Sequence, residues 1–272
     1  LFNSKMILNH EKNILELLNI AIDSGREILK IYNNEIIINS KDDKSPITQA
    51  DINSNNLIIK RLKKLEPNIP ILSEESLVKW ENRKNWNKYW LIDPLDGTKE
   101  FINRNGEFTV NISLIENNYP IFGIIYSPVK SLLYYALKNN GCYKLQTNSN
   151  LSTLEDFSKI NINKEKNSTT KVIGSRSHAN KDFKHWVENK FTNFELISIG
   201  SSLKFCILAE GEADIYPRLG PTSEWDIAAG HIILEEAGGK LKTIDNKDIL
   251  YNTKEDILNP HFIAYGNLSK LD

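Results

Sequence analysis

The chain has 272 residues, 40% of them hydrophobic and 25% charged, with 34 Lys and Arg against 35 Asp and Glu for a formal charge of -1. That composition suits a soluble globular protein with a core large enough for one or two domains. It excludes a global field that would recruit nucleic acid or anionic lipid, so a small anionic substrate would need local basic residues. No apolar run approaches the roughly 18 residues that span a bilayer, and the N-terminus lacks a signal-peptide pattern, so the expected compartment is the cytoplasm. Met6 is the only methionine, and residues 1–5 are set aside from the fold argument. The two cysteines, Cys142 and Cys206, lack metal-ligand spacing and are expected to be reduced, packed thiols.

Residues 10–32 carry Ile14, Leu17, Leu18, Ala21, Ile28 and Leu29 at helical spacing, which predicts an amphipathic helix. A β-branched run at Ile36 to Ile38 and the polar loop "KDDKSPITQAD" follow. A second helix is predicted from Asp51 to Leu65, with Leu57, Ile58 and Leu62 inward and Pro67 just past its end. "PILSEES" reads as a short strand ending in two glutamates, and Tyr89 to Ile92 as a buried strand end. Four runs between 107 and 145, "EFTVNISLIE", "PIFGIIYS", "LLYYALK" and "GCYKL", are separated by turn residues, as in an antiparallel meander. The polar stretch 146–170 is taken as the boundary between an N-terminal α+β domain, 1–145, and a C-terminal α/β domain, 146–272. The second half alternates: "KVIGS", a helix near 180–190, "FELISI", a helix from about Ser201 to Ala209, "ADIYP", a helix from about Trp225 to Ala237 stopped by Gly238 and Gly239, and "HFIAYG".

Chemistry concentrates in four stretches that end a strand or begin a helix with acidic or hydroxyl side chains: "TQAD" (48–51), "SEES" (73–76), "DPLDGT" (93–98) and "EWDIAAG" (224–230). An Asp at a helix start is usually a cap, but a turn needs no second Asp at the spacing of Asp93 and Asp96. Pro94 fixes φ and lacks an N–H, so the strand is expected to stop there and release both carboxylates at its end. Like charges that close repel unless a cation, most often divalent, sits between them. Gly97 and Thr98 would let backbone N–H groups approach an anion. A metal on one side and an anion on the other suggest phosphate chemistry.

In the order "SEES", "DPLDGTKEF", "EWDIAAGHIILEEAGG", the chain resembles the inositol monophosphatase superfamily from about residue 10 to about 264, and most closely its bacterial 3′(2′),5′-bisphosphate nucleotidase branch. The resemblance implies an α/β (α+β) fold, a layered α-β-α-β-α sandwich with a metal site in the cleft. It makes Glu74, Asp93, Asp96 and Asp226 side-chain ligands of two or three Mg²⁺, with Leu95 adding its carbonyl. Asp51 and Thr98 become a catalytic dyad; either that dyad or Glu74, through a metal-held water, supplies the general base. "DGTKEF", "SRSH", "GSSLKF" and "YPRLGP" resemble the nucleotidase branch more than the inositol branch. By that resemblance Glu74, Leu95, Asp96, Gly97, Thr98 and Asp226 also contact substrate, and His178, Ser201, Lys204 and Arg218 line the nucleotide pocket, Lys204 and Arg218 holding the uncleaved phosphate. The superfamily's usual Gly before the glutamate pair is Ser73 here, a change also found within the nucleotidase branch.

The activity so implied is hydrolysis of the 3′-phosphate of adenosine 3′,5′-bisphosphate to AMP, action on its sulfated form, lithium inhibition and a place beside sulfate activation. The rivals are an inositol or sugar-bisphosphate phosphatase on the same scaffold and a non-catalytic nucleotide or metal sensor. Resemblance alone suggests peripheral attachment to an inner membrane; no basic amphipathic helix supports it. Trp80, Trp86, Trp90 and Tyr89 read as packing or surface aromatics, His231 as a satisfied histidine, and "GNLSK" is not a P-loop.

Overall fold

A computed structural model of the chain describes residues 8, 10–34, 37–40, 46–162, 169–175 and 181–267. Helix α1 (Glu11–Tyr32) buries Leu17, Leu18, Ala21 and Ile28 along one stripe. A two-stranded ribbon, β1 (Ile38–Ser40) with β2 (Pro46–Thr48), leads into α2 (Gln49–Leu65), which buries Ile58 and Leu62. β1 begins at the end of the β-branched run, and Ile36 lies outside the described residues.

Seven strands follow in spatial order along the chain: β3 (Ile71–Ser73), β4 (Lys88–Asp96), β5 (Thr109–Glu116), β6 (Tyr119–Ser127), β7 (Leu132–Leu137), β8 (Gly141–Gln146) and β9 (Ser158–Ile160). β3 and β4 are parallel and the remaining neighbours antiparallel, so the expected four-strand meander, β5 to β8, is extended by β4 and then β3 on one side and by β9 on the other. Two short helices, α3 (Trp80–Arg83) and α4 (Thr98–Ile102), flank β4. A second sheet, ordered β11-β10-β12-β14-β13, is built from β10 (Thr170–Ser175), β11 (Phe194–Ile199), β12 (Ile215–Arg218), β13 (Lys240–Thr243) and β14 (Phe262–Tyr265). Its helices are α5 (Lys181–Lys190), α6 (Leu203–Ala209) and α7 (Glu224–Glu236).

Side-chain alternation stacks these elements. Trp90, Ile92, Val110, Ile112, Phe122 and Ile124 point from the first sheet onto α1 and α2. Leu91, Ile125 and Tyr134 point the other way, into a core shared with α6, α7 and the inner face of the second sheet, where Tyr216, Phe262 and Ala264 sit. Val172, Ile215 and Ile263 face outward and pack with Phe183 and Val187 of α5. Because successive residues of a strand alternate faces, two apolar faces per sheet require three helical layers, giving the α-β-α-β-α sandwich.

α7 is the central layer, and glycine lets it approach both neighbours. A Cβ on Gly230 would sit 2.4 Å from the Phe205 ring of α6, and one on Gly123 of β6 would sit 2.5 Å from Ile232 of α7. Gly230→Ala is therefore expected to destabilise the protein by about 1–3 kcal/mol through overpacking, outweighing the roughly 1 kcal/mol that Ala gains in a helix. Urea unfolding measures this, and an unchanged or raised midpoint would contradict it. α7 ends as expected, with Gly238 in the left-handed region at φ 103° and Gly239 N–H donating to Leu234 O at 2.9 Å.

β4 departs from expectation. It runs through Pro94 to Asp96, with its register to β5 shifting between Asp93↔Asn111 and Asp96↔Thr109. Three steps on β4 oppose two on β5, so the chain carries a bulge there. Proline's missing N–H falls inside the bulge, where no ladder bond is asked of it. Regular alternation would send residues 93 and 96 to opposite faces; the extra residue returns both aspartates to the face that looks toward α7.

The conspicuous aromatics and thiols are packing groups. Trp90 is fully buried, Trp86 tilts onto Tyr89, and the Arg83 guanidinium lies 4.9 Å from the Trp80 ring. His231 is fully buried, with Nδ1 3.0 Å from the Tyr251 hydroxyl and Nε2 3.1 Å from that of Tyr119. Cys142 and Cys206 are buried and unbridged, and burial pushes both thiols up, away from reactivity. Among the described residues no helix is long and apolar enough to cross a membrane.

Candidate active site

Two helix starts use one local device. In α2, Thr48 is the N-cap, its hydroxyl accepting from Ala50 N–H at 3.2 Å, and Asp51 three residues on accepts at Oδ2 from Thr48 N (2.8 Å) and Thr48 Oγ1 (2.7 Å). In α7, Asp226 stands at the same third position and its Oδ2 accepts from Ser223 N at 2.9 Å. Both are capping boxes with Asp in place of the usual Glu or Gln. Each fixes one carboxylate oxygen, Oδ2.

The β4 bulge supplies the next two carboxylates. Ser54 of α2 donates to Pro94 O at 2.6 Å, clamping the bulge to the outer layer, and Asp93 Oδ1 accepts from Leu95 N at 3.1 Å. Asp96 Oδ2 accepts from Ser201 Oγ at 2.6 Å and Ser202 N at 2.5 Å. Gly97 then turns the chain into α4 at φ 91°, a left-handed conformation that suits glycine. Thr98, the first residue of that helix, donates its hydroxyl toward Asp51 Oδ1 at 3.3 Å, with Leu95 O at 3.5 Å. Glu74 follows β3, its N–H bonded to Ile92 O at 3.2 Å. Ser73 beside it donates to Asn55 of α2 at 2.7 Å, an anchor a glycine could not provide.

These pieces bring Asp93, Asp96 and Asp226 together, with ligand atoms all within 4.8 Å of one another. Burial pushes the Asp93 carboxyl well above the usual range, and Glu74, Asp96 and Asp226 add to it. Asp226 is raised for the same reasons, burial first and then Asp96 and Glu74. Three like charges around the buried Asp93, each with one oxygen already bonded, form a hard-oxygen donor set that fits a divalent cation such as Mg²⁺.

A cavity of about 280 Å³ opens onto this cluster. Glu74, Asp96, Gly97, Thr98, Ser201, Lys204, Arg218 and Asp226 all line it. Lys204 Nζ donates to Ser201 O at 2.6 Å and lies 5.7 Å from the Tyr216 ring centroid. Burial lowers its ammonium to about 8, with Arg218 adding to the fall, while Asp96, Glu100 and Asp226 oppose it. Arg218 Nη2 donates to Pro221 O at 2.6 Å and its guanidinium also interacts with the Tyr216 hydroxyl, while its Nε is buried and makes no hydrogen bond of its own.

A sequence model described as the inositol monophosphatase family matches residues 11–270. The chain belongs to that family. Within it, the chain is 42% identical to the 3′(2′),5′-bisphosphate nucleotidase CysQ of Shigella flexneri over 245 residues, which cover 89% of this chain and 95% of that one. It is 43% identical to the enzyme of the same name from Buchnera aphidicola over 258 residues, 93% of each chain. The crystal structure of CysQ from Bacteroides thetaiotaomicron, described as a bacterial member of the inositol monophosphatase family, superposes with a TM-score of 0.84 at 40% identity, covering 95% of this chain and 98% of that one.

Within the family fold, the residues expected from sequence fall into three groups. Glu74, Asp96, Gly97, Thr98, Ser201, Lys204, Arg218 and Asp226 line the cavity. Asp51, Asp93 and Leu95 lie buried behind that lining. His178 lies outside the described residues. The helix expected from Ser201 starts at Leu203 instead, because Ser201 occupies the left-handed region at φ 56°. Sequence reading missed Glu100 and Ser202 on the cavity wall and, behind Asp96, Thr109 and Asn111. Glu100 stood in plain view in "DGTKEF". Thr109 and Asn111 alternate with Val110 and Ile112 in "EFTVNISLIE", a pattern that a half-solvated strand shares.

Proposed function

We propose that the chain is a 3′(2′),5′-bisphosphate nucleotidase that hydrolyses the 3′-phosphate of adenosine 3′,5′-bisphosphate to AMP and phosphate, and takes the sulfated nucleotide in the same way. One observation carries this reading: a single cavity is lined both by the carboxylates Glu74, Asp96 and Asp226 and by the cationic Lys204 and Arg218, so a substrate held there by cations at one phosphate would meet basic side chains at a second. The near full-length identity to bisphosphate nucleotidases supports the same choice over a simple monophosphatase.

Asp93, Asp96, Asp226 and Glu74, with the Leu95 carbonyl, would hold two or three Mg²⁺, which when bound neutralise charge on the phosphoryl oxygens and on the leaving oxygen. Lys204 and Arg218 grip the phosphate that is not cleaved, Arg218 through its free Nε and Lys204 as a point charge that persists up to about pH 8. Thr98 Oγ1 accepts the proton of the attacking water as its own proton passes to Asp51 Oδ1. Thr48 readies Asp51 for this by occupying Oδ2 and leaving Oδ1 turned to Thr98. His178 joins the nucleotide pocket on the strength of the resemblance. The enzyme works in the cytoplasm, where sulfate activation generates its substrate.

The test is phosphate release from adenosine 3′,5′-bisphosphate and from inositol 1-phosphate in parallel, with Mg²⁺, with EDTA and with added lithium. The expected result is a Mg²⁺-dependent, lithium-sensitive preference for the nucleotide. Preference for the inositol ester would overturn the assignment of Lys204 and Arg218, and no release from either would leave a binding protein.

A further inference from the structure

Asp96 collects more donors than the other clustered aspartates, and those donors belong to a wider group. Its Oδ2 faces Ser201 Oγ (2.6 Å), Ser202 N (2.5 Å) and, more distantly, Asn111 Nδ2 (3.5 Å). Thr109 Oγ1 lies 2.6 Å from Ser201 Oγ, 2.7 Å from Ser202 Oγ and 3.0 Å from Asn111 Oδ1, and Ser202 Oγ is 2.8 Å from Asn111 Oδ1. Thr109, Asn111 and Ser202 are at most 2% exposed.

The protons in this group can be counted. An ionised carboxylate only accepts, and a hydroxyl carries a single proton. Ser201 commits its proton to Asp96, so at its 2.6 Å contact with Thr109 it is the acceptor and Thr109 the donor. Thr109 then has no second proton, and Ser202 must donate, either to Thr109 or to Asn111 Oδ1. The amide of Asn111 stands with Oδ1 toward the hydroxyls of Thr109 and Ser202 and Nδ2 toward Asp96. The protons of Thr109 and Ser201 therefore run in series toward one carboxylate oxygen, with Ser202 feeding the same group.

Strand register explains why these residues are there. Asp96 pairs with Thr109 and Asp93 with Asn111 across β4 and β5, so the bulge that brings the aspartates to one face sets each opposite a polar partner. Ser201 and Ser202 come from the turn between β11 and α6, and the left-handed backbone of Ser201 is held by its hydroxyl bonds and by Lys204 on its carbonyl.

We propose that Thr109 and Asn111 are positioning residues for Asp96: with the Ser201–Ser202 turn they pin Oδ2 through a one-way series of donors and leave Oδ1 as the oxygen that meets a cation. This rests on the metal-binding role given to Asp96 above. Outer partners that orient a metal ligand typically account for 10–100-fold in metal affinity, and Thr109 holds its place in the series through one hydroxyl.

The experiment titrates Mn²⁺, an octahedral oxygen-seeking stand-in for Mg²⁺, into the full chain without substrate, following free Mn²⁺ by electron paramagnetic resonance. Melting in EDTA is recorded beside it. Thr109→Val keeps the shape but loses the hydroxyl and is expected to weaken Mn²⁺ binding about 10-fold or more. Thr109→Ser keeps the hydroxyl and is expected to stay within about 3-fold of the parent. Asn111→Ala gives an independent measurement, with a loss of about 5-fold or more expected, should Thr109→Val fail to fold. If folded Thr109→Val or Asn111→Ala binds Mn²⁺ as tightly as the parent while Asp96→Asn does not, the positioning role is wrong and the metal reading survives. If Asp96→Asn also binds like the parent, or the parent binds no Mn²⁺, the metal reading fails and the proposal fails with it.

Discussion

Asp93→Asn is expected to lower phosphate release from adenosine 3′,5′-bisphosphate by at least about 10³-fold, roughly 4 kcal/mol of barrier, while making the metal-free protein harder to melt. The two effects have one origin. Asp93 is 1% exposed, and its carboxyl is raised first by burial and then by Glu74, Asp96 and Asp226. In the absence of a cation this is like-charge repulsion in a desolvated place. An amide of the same shape removes a charge from that cluster and can still accept from Leu95 N–H, which now meets Oδ1 at 3.1 Å. Relief on the order of 1–3 kcal/mol corresponds to a few degrees in Tm for a chain of this size. Added Mg²⁺ should raise the Tm of the parent markedly and that of the variant little. Thermal melts of both proteins in EDTA and in Mg²⁺, beside phosphate-release assays, check this. Activity surviving in Asp93→Asn would sink the metal-assisted mechanism, and a lower Tm in EDTA would mean the carboxylate is held by attractions the electrostatics do not contain.

Arg218→Ala should raise KM for adenosine 3′,5′-bisphosphate about 10–100-fold and leave KM for adenosine 3′-monophosphate nearly unchanged. A charge-assisted hydrogen bond contributes about 1.5–3 kcal/mol, and each 1.4 kcal/mol is tenfold in affinity. The buried Nε without a partner is a group already stripped of water and not yet satisfied, so its bond to a phosphate oxygen forms with little desolvation left to overcome. Nη2 is anchored on Pro221 O, so the fork is aimed before substrate arrives. Arg218→Lys should recover only part of the loss, since an ammonium lacks the planar fork. Steady-state kinetics on the two nucleotides decides the matter, and equal rises for both would remove Arg218 from the second phosphate site.

Much of this was legible in the sequence, for reasons that can be named. The 3.6-residue spacing of Leu17, Leu18, Ala21 and Ile28 and the turn-separated runs after residue 107 gave α1 and the meander because each element buries a face of its own. The layering was a matter of resemblance, since periodicity tells which face is apolar and not what covers it. Asp93 and Asp96 stood out by spacing, but the expectation that Pro94 ends the strand was wrong. A proline can sit in a bulge where no ladder bond is required of it, and that bulge is what places the two aspartates together. Thr109 and Asn111 went unnoticed because a polar residue at every second position reads as a wet face, whereas here that face lies under Asp96 and the Ser201–Ser202 turn. Lys204 and Arg218 carry no local signal that separates them from surface cations; only the fold tucks Lys204 to 7% exposed beside Tyr216.

Asp96 takes its two closest donors from the other half of the chain, and that has a consequence for synthesis. A ribosome delivers Asp93 and Asp96 about a hundred residues before Ser201 and Ser202, and about 130 before Asp226. At 5–20 residues per second the wait is on the order of ten seconds. During that interval the emerging first sheet holds two aspartates on one face with neither the turn that restrains Asp96 nor the helix that completes the trio. The acidic pocket is thus among the last parts of the molecule to close, and a truncated chain that stops short of α7 would carry the "DPLDGT" signature without the site it announces.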